Sequence, residues 1–532
     1  MNRRQLNFAA LAWALAPWSR SAAQSGPPGQ TPATPRWQAN PFSLGVASGM
    51  PRPDSVVLWT RLVIAKGSEK ETESALAAGS TVAVSYEIYS DSALTQLLRK
   101  GVVLTSAERA YSVHVPVNGL ASGRSYFYRF ISGNAVSPVG RTRTAPASDA
   151  TPGRLRIALA SCQHFEQGHY AAHRNIAAQD LDFVLFVGDY IYESSNPRYV
   201  VGPARRYTGG VPKTLDEYRA RHAQYKSDAD LQAAHAAHPW VLTWDDHEVC
   251  NDYARDQDPA HSDPKVFLQR RAAAYRAYFE HMPLALGPDA DSGGHSMRIY
   301  DRMAWGQLAD LWTLDCRQYR SYQACQDPVR GGGRRVTGCE ELADPQRTML
   351  GFAQEKWLAQ GLGNATGDWK IIAQSTQISA TGLASAGAGA ERSISTDAWD
   401  GYPQARQRLL QTVVDTRLAD VVTLGGDVHR SVAAQLRLQP NEASSPIVAS
   451  ELVCTSVTSH GGSVKTEEKM LRDNPDIAYT RTGERGYALL TITAQQMRCD
   501  FLATPNAEQA DAVLSTSQRY VVERGHAGVQ AA

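Results

Sequence analysis

The chain lacks any excess of charge. Its 54 Lys and Arg stand against 53 Asp and Glu, a formal net charge of +1, so the totals point to neither a nucleic-acid nor a membrane-surface partner. After the first 25 residues it also lacks any segment approaching the ~18 consecutive apolar residues of a membrane-spanning helix. No internal repeat is present, which excludes an architecture stacked from one recurring unit. Cysteine is sparse and odd in number, seven in 532 residues, which leaves at least one thiol free or ligating in an oxidising compartment. The hydrophobic fraction, 43%, is ordinary, and the length suggests two or more domains with ample core. The totals describe a soluble globular protein, expected to be monomeric and not to bind nucleic acid.

Residues 1–25 differ from the rest. Asn2-Arg3-Arg4-Gln5-Leu6 precedes a modest apolar run, Phe8 to Pro17, and then Ser21-Ala22-Ala23. A charged head, a short hydrophobic segment and a small-residue cleavage site make a signal peptide. The adjacent arginines fit a signal for the twin-arginine export machinery; an ordinary secretory signal or a basic tail are the plainer readings. The mature chain is expected to be periplasmic or secreted. Residues 26–40, rich in Pro, Gly, Ser, Thr and Gln, read as a flexible linker.

From 41 to 146 the pattern is short β segments between turns. Ser55–Thr60, Val82–Tyr89, Tyr111–Val117 and Ser125–Phe130 predict an antiparallel β-sandwich. Nothing there gathers metal ligands, so a structural domain packed beside the catalytic one is expected. From 150 to 525 strands alternate with helical patterns, among them Pro264–Met282 and Ala353–Leu362, which predicts a layered α/β domain. Gly382–Glu391 reads as a mobile Gly/Ala/Ser-rich loop, and Tyr520–Glu523 as a final edge strand.

The most informative stretch is Leu155–Glu193. An apolar strand ends on Ser161-Cys162-Gln163, a helix follows over His169–Gln179, and Leu181–Val187 is a near-continuous β-type run ending in Gly188-Asp189-Tyr190-Ile191-Tyr192-Glu193. Such a run suits a strand buried on both faces of a parallel sheet, where ligands sit outside the carboxyl ends. Two later stretches share the form: Pro239–Trp244 breaks into Asp245-Asp246-His247-Glu248-Val249-Cys250-Asn251-Asp252, and Asp420–Leu424 into Gly425-Gly426-Asp427-Val428-His429. Singly, each has a plainer reading. Cys162 could be a small buried hydrophobe, Asp245-Asp246 a helix cap, and Asp427-Val428-His429 a turn with a solvated histidine. Three strand ends carrying Asp, with Cys, Tyr and His among them, instead suggest a cradle for metal ions.

Here the sequence resembles the PhoD family of alkaline phosphatases and phosphodiesterases, within the calcineurin-like metallophosphoesterases. The matching pieces are ASCQ at Ala160, DLDFVLFVGDYIYE at Asp180, WDDHEVCND at Trp244 and GGDVHRS at Gly425. Weaker matches are LDCRQYRS at Leu314, DPQRTMLG at Asp344 and WDGYPQARQRLL at Trp399. GVASGMPRPDSVVLWTRL at Gly45 and SPVGRTRTAP at Ser137 look like the family's N-terminal domain. The resemblance implies a layered α/β/β/α fold and an alkaline phosphatase D-type hydrolysis of phosphate monoesters or diesters by a dimetal-activated water. It implies a ferric ion at Cys162, Asp189, Tyr192 and His429, since thiolate and phenolate suit Fe(III). A calcium ion would take Asp189, Asp246, Asn251 and Asp427, an all-oxygen set. Asp189 would bridge. His247 is expected to contact phosphate or protonate the leaving group, with Asp246 beside it in catalysis. Arg317 is expected either to bind phosphate or to pair with Asp315, and Glu248 to support the ligands by accepting hydrogen bonds.

Cys325 and Cys339 flank the Gly/Arg-rich segment Gly331–Arg335 and are expected to form a disulfide; Cys454 with Cys499 and Cys250 with Cys316 are pairs left open. Two other functions compete. One is a non-catalytic surface-binding protein on a degenerate metallophosphoesterase scaffold. The other is a hydrolase with Cys162 as nucleophile.

Overall fold

The computed structural model describes residues 35–64, 81–384 and 391–532. The expected signal peptide, most of the linker, and positions 385–390 of the Gly/Ala/Ser loop lie outside the described residues.

Eight strands come first: β1 (Val46–Gly49), β2 (Ser55–Arg61), β3 (Thr81–Tyr89), β4 (Leu97–Ser106), β5 (Ser112–Asn118), β6 (Ser125–Ser132), β7 (Ala135–Val136) and β8 (Gly140–Arg143). Then β9 (Leu155–Ala160), α1 (Ala171–Ala178), β10 (Phe183–Val187), α2 (Leu215–Lys226), α3 (Ala229–Ala237), β11 (Pro239–Thr243) and α4 (Pro264–His281) follow. Local chemistry explains the boundaries. Thr214 and Glu217 close a capping box on α2, and α4 starts with Asp263 capping and Pro264 in its first turn, where a missing N–H costs nothing.

β9, β10 and β11 are parallel neighbours, with Val184 opposite both Ala158 and Trp240, so their carboxyl ends share one edge. Alternation along β10 sorts its side chains. Phe183, Leu185 and Val187 enter one buried cluster and Val184 and Phe186 another, each contributing roughly 1.5–3 kcal/mol on burial.

A second sheet contains β12 (Asp301–Trp305), β13 (Ala309–Thr313), β15 (Trp369–Ala373), β18 (Val421–Gly425), β19 (Ser431–Arg437), β20 (Ile447–Val453) and β21 (Ile477–Arg481). The short β14 (Arg335–Val336), β16 (Leu383–Ala384) and β17 (Arg392–Ser395) form a small sheet of their own. The first sheet is completed by β22 (Arg485–Ile492), β23 (Gln496–Thr504), β24 (Ser515–Glu523) and β25 (Gln530–Ala531). Residues such as Leu159, Leu185 and Leu490 of the first sheet meet Leu311, Ile371 and Leu424 of the second in one core. The outer face of the first sheet is covered by α1–α4. The outer face of the second is covered by α5 (Phe352–Gly363) and α6 (Pro403–Asp415).

Several expectations are corrected. The N-terminal strands do not simply pack beside the α/β part: β1 pairs in parallel with β11, Ser48 opposite Pro239, so β1, β2 and β5 extend the first sheet. The five strands β3, β4, β6, β7 and β8 form a separate sheet, and Leu58, Val113 and Val115 share a core with Val84, Tyr128 and Phe130 across the two. β24 is not an edge, because β25 pairs outside it.

Cys325–Cys339 is a disulfide, but Cys162, Cys250, Cys316, Cys454 and Cys499 are free and buried. Cys250 and Cys316 lie in the cores on opposite outer faces of the two sheets. Cys454 and Cys499 come from facing sheets, and sheets pack about 10 Å apart, beyond disulfide reach. No helix among the described residues is long and apolar enough to cross a membrane.

Candidate metal centre

The ligand loops leave β9, β10 and β11 at the shared edge, and the fourth arrives from β18 of the second sheet. Cys162 N–H donates to Gly188 O (3.1 Å) and Gln163 N–H to Asp189 O (3.1 Å), stitching the first two loops together. Cys162, Asp189, Asp427 and His429 all have left-handed backbone, with φ of 58°, 57°, 63° and 51°. That costs roughly 1–2 kcal/mol per residue, and such strain collects at functional sites. The glycines before the ligands serve close approach. A Cβ on Gly188 would lie 2.6 Å from the Asp245 Cβ, and one on Gly426 would lie 2.5 Å from Ser161 Oγ.

Among the described residues, four groups of possible ligand atoms converge, each with all atoms within 4.8 Å of one another: Cys162, Asp189 and His429; Asp189, Asp246 and His247; Asp189, Asp245 and Asp427; and Asp246, Asp252 and Asp397. Asp189 belongs to three of them. Tyr192 joins the first, its hydroxyl donating to Asp189 Oδ2 (2.8 Å) and lying 3.1 Å from His429 Nε2. His429 Nδ1 faces the His460 carbonyl at 2.7 Å, so the ring proton sits on Nδ1 and Nε2 presents a lone pair to the centre. The Asn251 backbone amide donates to Glu193 Oε1 (3.0 Å), the carboxylate that also binds His247.

These residues fit a cation. Asp189 Oδ1 and Asp246 Oδ1 are buried without a hydrogen-bond partner, an arrangement that costs about 1–3 kcal/mol or more per group unless something positive satisfies it. Burial, ahead of the neighbouring acids, pushes Asp189 well above the carboxylate range. Burial and Asp245 carry Asp427 up to about 8. Burial, then Asp189 and Asp427, raises the Cys162 thiol. Burial and Asp189 do the same to the Tyr192 phenol. A metal ion reverses each of these directions by supplying the missing positive charge.

Around the ligands sits a set of holders. Glu248 accepts the backbone amides of Asp189 (3.3 Å), Tyr190 (2.6 Å) and Asp245 (2.9 Å). Glu193 receives His247 Nδ1–H at 2.6 Å. Thr376 Oγ1–H donates to Asp427 Oδ2 (2.7 Å). Arg317 is 1% exposed and does not pair with Asp315, which caps backbone amides. Its Nε and Nη2 grip both oxygens of Asp245 (2.7 and 2.9 Å), and Nη1 binds Asp397 (2.9 Å). With both oxygens of Asp245 taken, Arg317 Nη2 also lies 3.4 Å from Asp246 Oδ2.

Sequence reasoning missed Asp252, Asp397, Thr376 and Glu193 as members of this region. Asp252 and Glu193 stood inside the quoted motifs; Asp397 and Thr376 carry no local signal.

Comparison with known proteins agrees with this arrangement. The PhoD-like phosphatase family pattern matches residues 157–501, and the PhoD-like phosphatase N-terminal domain pattern matches residues 29–146. Alkaline phosphatase D of Bacillus subtilis (strain 168) is 39% identical over 507 residues, covering 94% of this chain and 83% of its own. A solved structure described as the structure of PhoD superposes with a TM-score of 0.85 at 39% identity, covering 93% of each chain. The chain belongs to the PhoD-like phosphatase family.

Proposed function

We propose that this chain is an exported, metal-dependent hydrolase of phosphate esters, a phosphomonoesterase or phosphodiesterase. The observation that carries the reading is Asp189. Its carboxylate is shared by three groups of ligand atoms, and one of its oxygens is buried without a partner. The arrangement of helices, two sheets and helices is that of a metallophosphoesterase domain, whose first sheet runs on through β1, β2 and β5 to pack against the separate five-stranded N-terminal sheet. Residues 1–25 act as a twin-arginine signal, delivering the folded chain to the periplasm or medium.

In this reading Cys162, Asp189, Tyr192 and His429 hold iron, and Asp189, Asp246, Asn251 and Asp427 hold calcium, each set matching the softness of its ion. Bound metal supplies a water acidic enough to be nucleophilic near neutral pH and neutralises charge on the phosphoryl oxygens.

The remaining work falls to the protein. His247 is the proton donor to the leaving group. In the metal-free chain burial opposes its charged form, but Glu193, Asp246 and Asp189 outweigh it and raise the imidazole well above its usual range; with Asp246 and Asp189 given to metal, Glu193 is the carboxylate that holds the proton on the ring. Glu193 fixes the ring by Nδ1, leaving Nε2 for substrate. Arg317 secures Asp245, Asp246 and Asp397 rather than binding phosphate, since its donors are already occupied.

The competing readings fare worse. A cysteine nucleophile needs a lowered thiol pKa, whereas that of Cys162 is raised. A degenerate scaffold would not keep every ligand cluster complete.

His247→Asn tests the assignment. An ester with an alkoxide leaving group should lose about 10²–10⁴-fold in kcat, while a p-nitrophenyl ester, whose leaving group needs no proton, should lose far less. Equal losses on both would remove His247 from the role of acid.

A further inference from the structure

Ser459 follows β20 and lies between two of the ligand residues. It is 1% exposed. Its amide donates to the Cys162 carbonyl at 3.2 Å. Its hydroxyl oxygen lies 2.9 Å from that same carbonyl and 2.8 Å from the Tyr192 phenol oxygen. It also accepts the His164 backbone N–H at 3.2 Å. One hydroxyl proton therefore faces two acceptors.

With Asp189 ionised, the other neighbours of the phenol oxygen offer it no proton. Asp189 Oδ2 accepts from it, and His429 Nε2 presents a lone pair because Nδ1 carries the ring proton. Among the described residues, Ser459 is the side chain that can donate to Tyr192. The same short segment holds the other ligands as well. Val457 N–H donates to Ser161 O (3.0 Å), and the His460 carbonyl takes His429 Nδ1–H.

The geometry points to Ser459 as a positioning residue for the iron site, an inference resting on Tyr192 being an iron ligand. While Tyr192 is a phenol, the Ser459 hydroxyl donates to the Cys162 carbonyl. The Ser459 hydroxyl, 2.8 Å from the Tyr192 oxygen, is placed to donate to that oxygen if it ligates iron as a phenolate. A hydrogen bond to an ionised acceptor is roughly twice as strong as a neutral one, so the phenolate outcompetes the carbonyl. Ser459 keeps its own proton throughout; only the direction of donation changes. A hydrogen bond to a ligating phenolate withdraws electron density from it, and such outer hydrogen bonds tune a metal's electronics. Ser459 thus raises both the energy of the phenolate-to-iron transition and the Fe(III)/Fe(II) potential.

The test compares the full chain loaded with ferric iron and calcium as wild type, Ser459→Ala and Ser459→Thr. The Ala variant should shift the visible absorption maximum to longer wavelength and lower the Fe(III)/Fe(II) potential. Thr, which keeps the hydroxyl, should restore both toward wild type. A Ser459→Ala band at the wild-type wavelength overturns the inference while leaving the iron reading intact. No visible band in loaded wild type overturns the iron reading and this inference with it. Should Ser459→Ala fail to fold, resonance Raman of wild type decides: the phenolate C–O line should move on transfer from H₂O to D₂O, and an unmoved line overturns the inference.

Discussion

Replacing Asp189 by Asn is expected to abolish hydrolysis while leaving the metal-free chain at least as stable as wild type. Asn is nearly isosteric and is among the few residues that adopt the left-handed backbone of this position readily. The fold therefore has little to lose. The native carboxyl is a liability without metal: it is buried, crowded by Asp245 and Asp246, held well above its ordinary range, and has one oxygen unpartnered. Asn, which never ionises, removes the cost of protonating that carboxyl on folding. Function should suffer in proportion to the sharing. Losing an outer-shell partner costs about 10–100-fold in metal affinity or activity, and a carboxylate common to three ligand groups should cost about 10³-fold or more in kcat/KM. Rates on bis-p-nitrophenyl phosphate, with thermal melts in chelator and in added metal, check both halves. A variant that retains activity, or whose metal-free form melts well below wild type, would refute the account of Asp189.

The second large effect is on stability against acid, and its sign depends on metal. His114, His173, His222 and His238 are buried, and burial lowers them to about 4, 3, 3 and 4. Folded pKa values lie below the unfolded value of 6.5, so between these limits the unfolded chain binds more protons. Stability is complete above about pH 6.5 and is lost as pH falls. From about pH 7 to 5 each histidine loses about 2 kcal/mol, a sum of about 8 kcal/mol that rivals the ~5–15 kcal/mol of a whole domain.

In the metal-free chain the site carboxyls work in the opposite direction. Asp427 is carried up to about 8, and Asp252 and Glu248 to about 7, burial being the largest cause for each. Their folded pKa values lie above the unfolded ones, so acid stabilises them, and over the same interval they offset the histidines. Metal bound at the groups that include Asp427 and Asp252 would keep those two ionised and remove most of that offset. Metal-loaded protein should therefore lose several kcal/mol in urea melts between about pH 7 and 5, and chelated protein much less. Equal slopes would contradict the assignment.

What could be read from the sequence follows a physical divide. The run Phe183–Val187 is apolar on both faces because helices cover one side and a second sheet the other, so its composition alone announced a buried parallel strand. Cys162, Asp189, Asp246, Asp427 and His429 were legible because each ends a strand, and strand ends place side chains at a predictable edge. The partners of Arg317 were not. Asp315, two residues away, was the local guess, yet the guanidinium reaches Asp245 and Asp397, 72 and 80 positions distant. The pairing of β1 with β11 is equally long-range, since Val46–Gly49 would read the same at the edge of an independent sandwich. Ser459 belongs to no motif; only the folded approach of its segment to Cys162 and Tyr192 gives it meaning.

Metal content and colour test the central claim most directly. Full-length protein purified from its native host should contain iron and calcium and show a visible phenolate-to-iron band. It should lose hydrolysis of phosphate esters on chelation and lose the band in Tyr192→Phe. Colourless, metal-free protein that hydrolyses phosphate esters at full rate in the presence of chelator would contradict it.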